Sequence, residues 1–343
     1  MNLKMRFLFF ALLICAFSAS AAEYDEGAIR LVLHGNSGRF SLYSLRGRNN
    51  RKIAQPLFFS QDPRTSFLSV LVNERVFRVA DNSAFRVHLN ETGSNPSLVF
   101  ESSFLLVTQE FTFVRSDDSA ETNGILVTVT LENRGDRQIS AGGRFLLDTT
   151  LGDRRRNITF TTNRRTIDSE FFFQRNSGDR FWIDRNNTLS LTGSLFTGSD
   201  EDPYAVHFAN WKRLNEAPWS LPHEPGRNFN LLPFSVRDSA VAYYFESRPL
   251  NRGAKRSFSF YLLSNSETGT LFSESSPQDQ IVNMPVQSGQ NERREETLRT
   301  IRDIMSRLDT LIKSGTATEE EVAALESTLN DLRARYGPNA NRR

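Results

Sequence analysis

The stretch Gly142–Asp153, with the sequence GGRFLLDTTLGD, is the feature that most constrains how this chain can fold. Its central residues Phe145, Leu146 and Leu147 are apolar and consecutive instead of alternating with polar residues. A strand that is apolar on both faces lies inside a sheet that is covered on both sides. Strand patterns flank it in both directions, so we predict a mainly β protein built around a large antiparallel two-sheet β-sandwich.

The flanking segments carry the patterns of strands and tight turns. Ile125–Asn133 (ILVTVTLEN) alternates apolar and polar residues, as a half-buried strand does. Asn73–Glu74 and Asn251–Gly253 are typical of turns between paired strands. Ala205–Trp211 predicts a further strand, and the Pro- and Trp-containing segment from Leu214 to Pro233 predicts a long loop over a sheet end. No useful helical period precedes residue 285.

The first residues have the pattern of an export signal. Lys4 and Arg6 precede the apolar run Phe7–Phe17, and small residues at Ala19–Ala21 fit a signal-peptidase site. We predict a signal peptide over residues 1–22 and a periplasmic protein, with an uncleaved anchor as the alternative. Cys15, the single cysteine, would leave with the signal, so a mature chain would have no disulfide or thiolate metal site.

The last part of the chain changes from strand to helix patterning. Residues 23–265 are predicted to form the sandwich domain, and residues 266–291, rich in Ser, Gln, Asn and Pro, a linker. Two apolar stripes with helical spacing predict an antiparallel, coiled-coil-like helical hairpin over residues 292–337, with a disordered tail at 338–343. Its stripes consist of Leu298, Ile301, Met305, Leu308 and Ile312, and of Val322, Leu325, Leu329, Leu332 and Tyr336.

The hairpin is also the predicted docking element. Pairing of the two stripes leaves Ile304 and Leu311 on the flank of the first helix. Apolar side chains on an otherwise charged helix usually contact another helix. We therefore predict a protein partner or a second copy bound through Leu298, Ile301, Ile304, Leu308 and Leu311. The alternative is that the hairpin folds back onto its own sandwich.

The charge of the chain selects few ligands. The formal net charge is +2, so no overall field favours nucleic acid. The densest basic patch consists of Arg154, Arg155, Arg156, Arg164 and Arg165. Five guanidinium groups at one sheet end could bind an anionic glycan, a lipid head group or an acidic protein surface. Ordinary solvated ion pairs are the alternative.

Several phrases of the sequence resemble a known group of proteins. They are FLLDTTLGD, HFANWKRLNEAPW, the DSAVAYYF run at Asp238–Phe245 and LNRGAKRSFSFYLL at Leu250–Leu263. Over about residues 25–265 they resemble secreted bacterial β-sandwich proteins of unassigned activity, similar in fold to the galactose-mutarotase-like supersandwich and to carbohydrate-binding domains. The resemblance implies that fold and no particular activity. A sandwich with a helical tail is also similar to envelope components, including accessory proteins of periplasmic flagellar motors.

Candidate catalytic groups are few. A mutarotase-like site would need a histidine and a carboxylate as acid and base, and His207 with Asp148 or Asp238 is the arrangement the sequence allows. His207 alternates into an apolar strand, so we favour a satisfied core histidine. Asp148 is expected to cap a local turn. Asp200–Asp202 could hold calcium, but a solvated acidic turn is favoured.

Aromatic residues near the long loop allow a further alternative. Tyr204, Trp211 and Trp219 could form a sugar-stacking platform, although anchoring of the loop is the favoured role. We therefore predict a periplasmic structural or adaptor protein that is not an enzyme and has no cofactor, metal or catalytic residue. A carbohydrate-binding or sugar-modifying sandwich is the alternative. The helical tail favours the first, because a sugar enzyme does not require it.

Overall fold

The computed structural model describes residues 21–272, apart from 49–50, 60, 92, 94, 153–159 and 176. Within these residues the chain forms nineteen strands in three antiparallel sheets, one short α-helix and a 3-10 turn at Pro63–Thr65. The mainly β prediction is confirmed. Residues 1–20 of the predicted signal peptide, the predicted helical hairpin and the docking residues predicted on it lie outside the described residues.

The first sheet contains four strands in chain order. These are β1 (Ala21–Glu26), β2 (Ile29–His34), β3 (Arg39–Arg48) and β4 (Arg51–Pro56). The sequence predicted the β2–β3 hairpin but neither β1 nor β4. Both missed strands are largely exposed and carry few apolar side chains. They are held by backbone hydrogen bonds to a neighbouring strand. Such pairing leaves no periodic pattern in the sequence.

The second sheet has nine strands in the order β13-β12-β15-β16-β19-β10-β9-β8-β7. Its strands are β7 (Arg86–Asn90), β8 (Ser97–Glu101), β9 (Leu105–Val114), β10 (Gly124–Asn133), β12 (Phe160–Thr162), β13 (Thr166–Ile167), β15 (Phe181–Arg185), β16 (Ser190–Ser194) and β19 (Lys255–Ser264). The third sheet has six strands in the order β14-β17-β18-β11-β5-β6. They are β5 (Phe67–Val72), β6 (Arg75–Arg78), β11 (Ile139–Asp148), β14 (Phe171–Gln174), β17 (Ala205–Asn210) and β18 (Ser239–Leu250).

The nine-stranded and six-stranded sheets pack face to face through aromatic rings. Phe245 stacks on Phe258 at 4.2 Å between ring centroids, and Tyr243 stacks on Phe260 at 4.7 Å. Residues of the four-stranded sheet, including Phe40, enter the same core. The prediction of two sheets is therefore incomplete, because a third sheet contributes side chains to the same core.

Strand β11 lies inside the six-stranded sheet, as the sequence predicted. Nine of its ten residues are buried, on both faces of the sheet. Gly143 is required here, because a Cβ atom at this position would overlap the ring of Phe258. The neighbouring Gly142 lies at a register shift between β11 and β18, where a Cβ would approach the backbone of Ser247.

Two segments differ from the sequence-based prediction. Strand β17 ends at Asn210, and Trp211–Glu216 forms helix α1 because the Asn210 side chain accepts a hydrogen bond from the Arg213 amide at its N-terminus. The first residues of the predicted linker pack on the sandwich instead of leaving it. Ser266 is fully buried, and the Arg115 guanidinium lies 3.4 Å from the ring centroid of Phe272. No described helix is long and apolar enough to cross a membrane.

Candidate functional site

The outer face of the six-stranded sheet, opposite the aromatic core, positions the candidate site. Alternation along β11 sends Phe145 and Leu147 into the core and Arg144 and Leu146 to the outer face. Register then places Leu146 opposite Ala242, with His207 next in the same row. Residues 211–238, called here the covering segment, lie over this face and bury it.

A group of charged side chains joins the covering segment to the sheet. The Glu170 cluster consists of Glu170, His207, Arg213, His223 and Glu224. Oε1 of Glu170 accepts hydrogen bonds from the Glu224 amide at 2.7 Å and from His207 Nε2 at 3.2 Å, while Oε2 pairs with Arg213. Arg213 also pairs with Glu224 at 2.5 Å. Glu170 and Arg213 are both buried, so this ion pair is shielded from solvent.

His207 is held neutral in this cluster. Burial, reinforced by the neighbouring His223, Arg213 and Arg144, lowers the pKa of His207 to about 3. The hydrogen bond to Glu170 places the proton of the neutral ring on Nε2, and Nδ1 is buried without a partner among the described residues. His207 has no solvent-exposed surface. It therefore supports the covering segment and does not face an open substrate site.

The predicted carboxylate partners of His207 lie elsewhere. The structure pairs His207 with Glu170, whereas Asp148 interacts with Thr65 and Asp238. Burial, against an opposing hydrogen bond from Thr65 and with a smaller contribution from the charge of Asp238, raises the pKa of Asp148 to about 7. The expectation that Asp148 caps a local turn is wrong, because its side chain contacts residues far away in the sequence.

Arg144 supports the end of helix α1. Its guanidinium donates to the carbonyl oxygens of Leu214 at 2.5 Å and Ala217 at 3.1 Å. Carbonyl groups at a helix C-terminus have no partner within the helix and carry partial negative charge. A buried arginine thus donates hydrogen bonds to the backbone carbonyl groups of the covering segment at the end of helix α1.

The predicted sugar-stacking residues contact the protein itself. Trp211 donates from Nε1 to the Thr65 carbonyl at 2.9 Å, and Trp219 lies 6.2 Å from the ring centroid of Tyr244. Tyr204 is 39% exposed and also lies 6.2 Å from Tyr244. Both tryptophans therefore act as anchors of the covering segment, the alternative that the sequence favoured.

The covering segment presents a short apolar turn, residues 231–236, to solvent. Leu232, Phe234 and Val236 are 73%, 71% and 61% exposed, the three highest values among the large hydrophobic residues described. The backbone closes on itself through hydrogen bonds between Leu231 and Ser235 at 2.8 Å. Asn210 holds the turn from below by donating to the Phe229 carbonyl and to Ser235 Oγ, each at 2.9 Å.

The predicted basic patch lies largely outside the described residues. Three of its five arginines lie outside the described residues, namely Arg154, Arg155 and Arg156. The other two, Arg164 and Arg165, separate. Arg165 pairs with the buried Asp179 at 3.1 Å, so its charge is compensated. The five-arginine group at a sheet end stays a prediction, and in the described part of the chain Arg165 already has the buried Asp179 carboxylate as its ion-pair partner.

Arg164 belongs to a different group of cations. It lines a cleft together with Arg175 and Arg180. The sequence missed this group because the three arginines are separated along the chain.

The acidic turn at Asp200–Asp202 is structural. The Asp202 carboxylate accepts hydrogen bonds from the amides of Thr197 and Gly198, both at 2.7 Å, and from the Thr197 hydroxyl at 2.7 Å. Its oxygen atoms are thereby occupied. Asp202 is also buried, so the expectation of a solvated turn is wrong for this residue. Within the described ranges, no three His, Cys, Asp or Glu side chains converge on a metal position.

Comparisons with known proteins give no family. No family model matches the chain, and no curated protein matches it significantly. A galactose mutarotase related enzyme from Lactobacillus acidophilus is 10% identical, with a TM-score of 0.45, 74% of this chain covered and 100% of that one. A galactose mutarotase-like protein from Lactobacillus casei is 10% identical, with a TM-score of 0.41 and coverage of 72% and 100%. Both scores are too low to support an argument about reaction or substrate.

Proposed function

We propose that the protein is a non-catalytic adaptor that docks a protein partner of the cell envelope through the apolar turn. The observation that carries the proposal is the exposure of Leu232, Phe234 and Val236 on one short, hydrogen-bonded turn. Adjacent exposed apolar side chains mark interaction sites more often than isolated ones do. Phe234 also belongs to the aromatic residues that are enriched in protein interfaces.

The contacts between the apolar turn and the rest of the domain favour a role in binding. The Glu170 cluster and Asn210 hold the covering segment in one conformation before any partner arrives. A preformed turn loses less conformational entropy on association than a flexible one, which strengthens binding. Lys212, whose ammonium group lies 5.4 Å from the Phe234 ring centroid, supplies a polar rim beside the apolar residues.

The cellular context of the proposal comes from the sequence. The signal peptide, the periplasmic location and a second docking element on the helical hairpin stay predictions, as does membership of a flagellar motor assembly. The alternative of a sugar-modifying sandwich required His207 to meet Asp148 or Asp238. His207 is instead fully buried against Glu170, so we place no sugar chemistry at it.

Photo-crosslinking in cells tests the adaptor proposal. The full chain would carry a benzoylphenylalanine in place of Phe234, with the same group in place of the exposed Arg252 as control. We expect one discrete adduct from position 234 and none from position 252. In a Leu232→Asp plus Val236→Asp background the adduct should disappear, because charge in the apolar contact opposes burial.

Two results would contradict the proposal. Adduct formation at position 234 that is no stronger than at position 252 would mean that the turn meets no specific partner. An adduct with a second copy of the chain, identified by mass spectrometry, would make the turn a self-association site instead of an adaptor surface.

A further inference from the structure

A second site lies at one end of the sandwich, independent of the apolar turn. The connections β12–β13, β14–β15 and β16–β17 meet there and, with residues 268–271, enclose a cleft of about 1030 Å³. Arg164 lines it from the β12–β13 connection, and Arg175 and Arg180 line it from the β14–β15 connection. The aromatic rings of Phe181 and Tyr261 form an apolar part of the cleft wall. The topology thus gathers three cations in a space large enough for an organic ligand.

Among the described residues, the acids around the cleft form no ion pair with Arg164, Arg175 or Arg180. Asp179 also lines the cleft, but it is fully buried and bound by Arg165 at 3.1 Å and by the Thr162 hydroxyl at 2.5 Å. The carboxylates of Asp202 and Asp117, close to the rim, accept hydrogen bonds from Thr197 and Thr268.

The three guanidinium groups of the cleft form few hydrogen bonds with the described residues. Arg175 donates to the backbone carbonyl of Asp202 at 2.8 Å, and Arg164 lies 3.5 Å from the carbonyl of Ser177. Among the described residues, the guanidinium of Arg180 has no hydrogen-bond or ion-pair partner, and none of the three meets a carboxylate. Most of their N–H groups are therefore free to bind a ligand.

Gly178 leaves space for one arginine of the cleft. Gly178 has a φ of +75°, and a Cβ atom at this position would overlap the guanidinium of Arg164. The glycine therefore allows the arginine to lie directly on the main chain.

We propose that this cleft binds a phosphorylated ligand that carries at least two negative charges. Guanidinium groups bind phosphate oxygens through paired N–H donors, and three of them exceed what a single carboxylate requires. The aromatic wall suits the organic part of such a ligand. A soluble phosphate compound and a phospholipid head group share this chemistry.

Isothermal titration of the full chain with inorganic pyrophosphate tests the proposal. A salt concentration of about 150 mM screens non-specific attraction to the surface. We expect one pyrophosphate bound per chain, and affinity reduced at least about tenfold in Arg164→Gln plus Arg180→Gln, since each lost bond is to a charged group. Arg252→Gln, at an exposed turn outside the cleft, should leave the affinity unchanged. Thermal melting of each variant would show that the fold is retained.

A vesicle arm separates the two sources of phosphate. Co-sedimentation would use phosphatidylcholine vesicles with and without phosphatidic acid. Binding that requires phosphatidic acid, Arg164 and Arg180 and that pyrophosphate displaces supports a head-group ligand, whereas pyrophosphate binding alone supports a soluble ligand. The proposal is overturned if neither probe binds, or if Arg252→Gln and the double variant weaken binding equally. If the double variant fails to fold, Arg180→Lys, which keeps the charge but loses the paired donors, replaces it with the same criteria.

Discussion

The two faces of the six-stranded sheet are built by the same strands from opposite kinds of side chain. On the inner face, Phe145, Tyr243 and Phe245 pack against Phe258 and Phe260 of the nine-stranded sheet. The Tyr243 hydroxyl on this face has a hydrogen-bond partner, because it donates to the Ser194 carbonyl at 2.8 Å. The outer face buries Arg144, Asp148 and His207 on β11 and β17.

The difference follows from what covers each face. A second sheet already pairs its own backbone groups, so the inner face needs only apolar side chains of matching shape. The covering segment has a short helix and irregular backbone whose carbonyl and amide groups need partners. Arg144, Asn210 and Glu170 supply them. Charge on the outer face thus holds the apolar turn, while the inner face stabilises the whole domain.

The largest expected effect comes from removing an inner-face ring. Phe245→Ala should lower the free energy of unfolding by about 3–5 kcal/mol, because it leaves a cavity among stacked aromatic rings. Urea denaturation followed by tryptophan fluorescence measures it. Phe234→Ala, at the exposed turn, is the matched control and should change stability by less than about 0.5 kcal/mol. Equal losses in the two variants would mean that the turn belongs to the core.

Removing charge from the outer face should act more locally. Glu170→Gln removes the buried carboxylate that pairs with Arg213, which keeps only the exposed Glu224 as an ion-pair partner, and should cost about 3 kcal/mol. Hydrogen exchange should rise over residues 211–238 and little in β10 or β19. Glu216→Gln, which removes only the exposed pair with Lys212, should cost less than about 0.5 kcal/mol. Uniformly faster exchange in Glu170→Gln would show that the two faces are one cooperative unit.

The third effect, which is confined to a window of pH, is a pH dependence at Asp148. The pKa of Asp148 rises from 3.8 to about 7 on folding, so the folded chain holds a proton that the unfolded chain releases, and stability falls as pH rises through this window. Asp148→Asn removes the dependence and should gain roughly 4 kcal/mol on wild type between pH 4 and pH 8, because one pKa unit corresponds to about 1.4 kcal/mol. His207, with its lowered pKa, acts in the opposite direction below pH 6.5 in both proteins, so the difference isolates Asp148.

Chemical denaturation of the two proteins across this pH range measures the difference. Asp168→Asn, at an exposed carboxyl, is the control and should follow wild type at every pH. A constant difference between Asp148→Asn and wild type would show that the Asp148 carboxyl titrates alike in the folded and unfolded chains.

The sequence alone determined those features that depend on neighbours along the chain. Alternation and consecutive apolar residues predicted β10 and β11, because a strand exposes or buries residues with a fixed period. Asn73 and Glu74 were expected to form a two-residue turn, and both adopt positive φ, at 46° and 67°.

Only the tertiary structure decided which polar residues act together. Glu170 lies 37 residues before His207 and 43 before Arg213, and nothing near it in the sequence marks it. Arg164, Arg175 and Arg180 likewise line one cleft because the β12–β13 and β14–β15 connections end at the same edge of the sandwich. Whether a charge is buried, paired or free depends on segments that pack against it from far along the chain. Periodicity describes one segment at a time, so it carries no information about that environment.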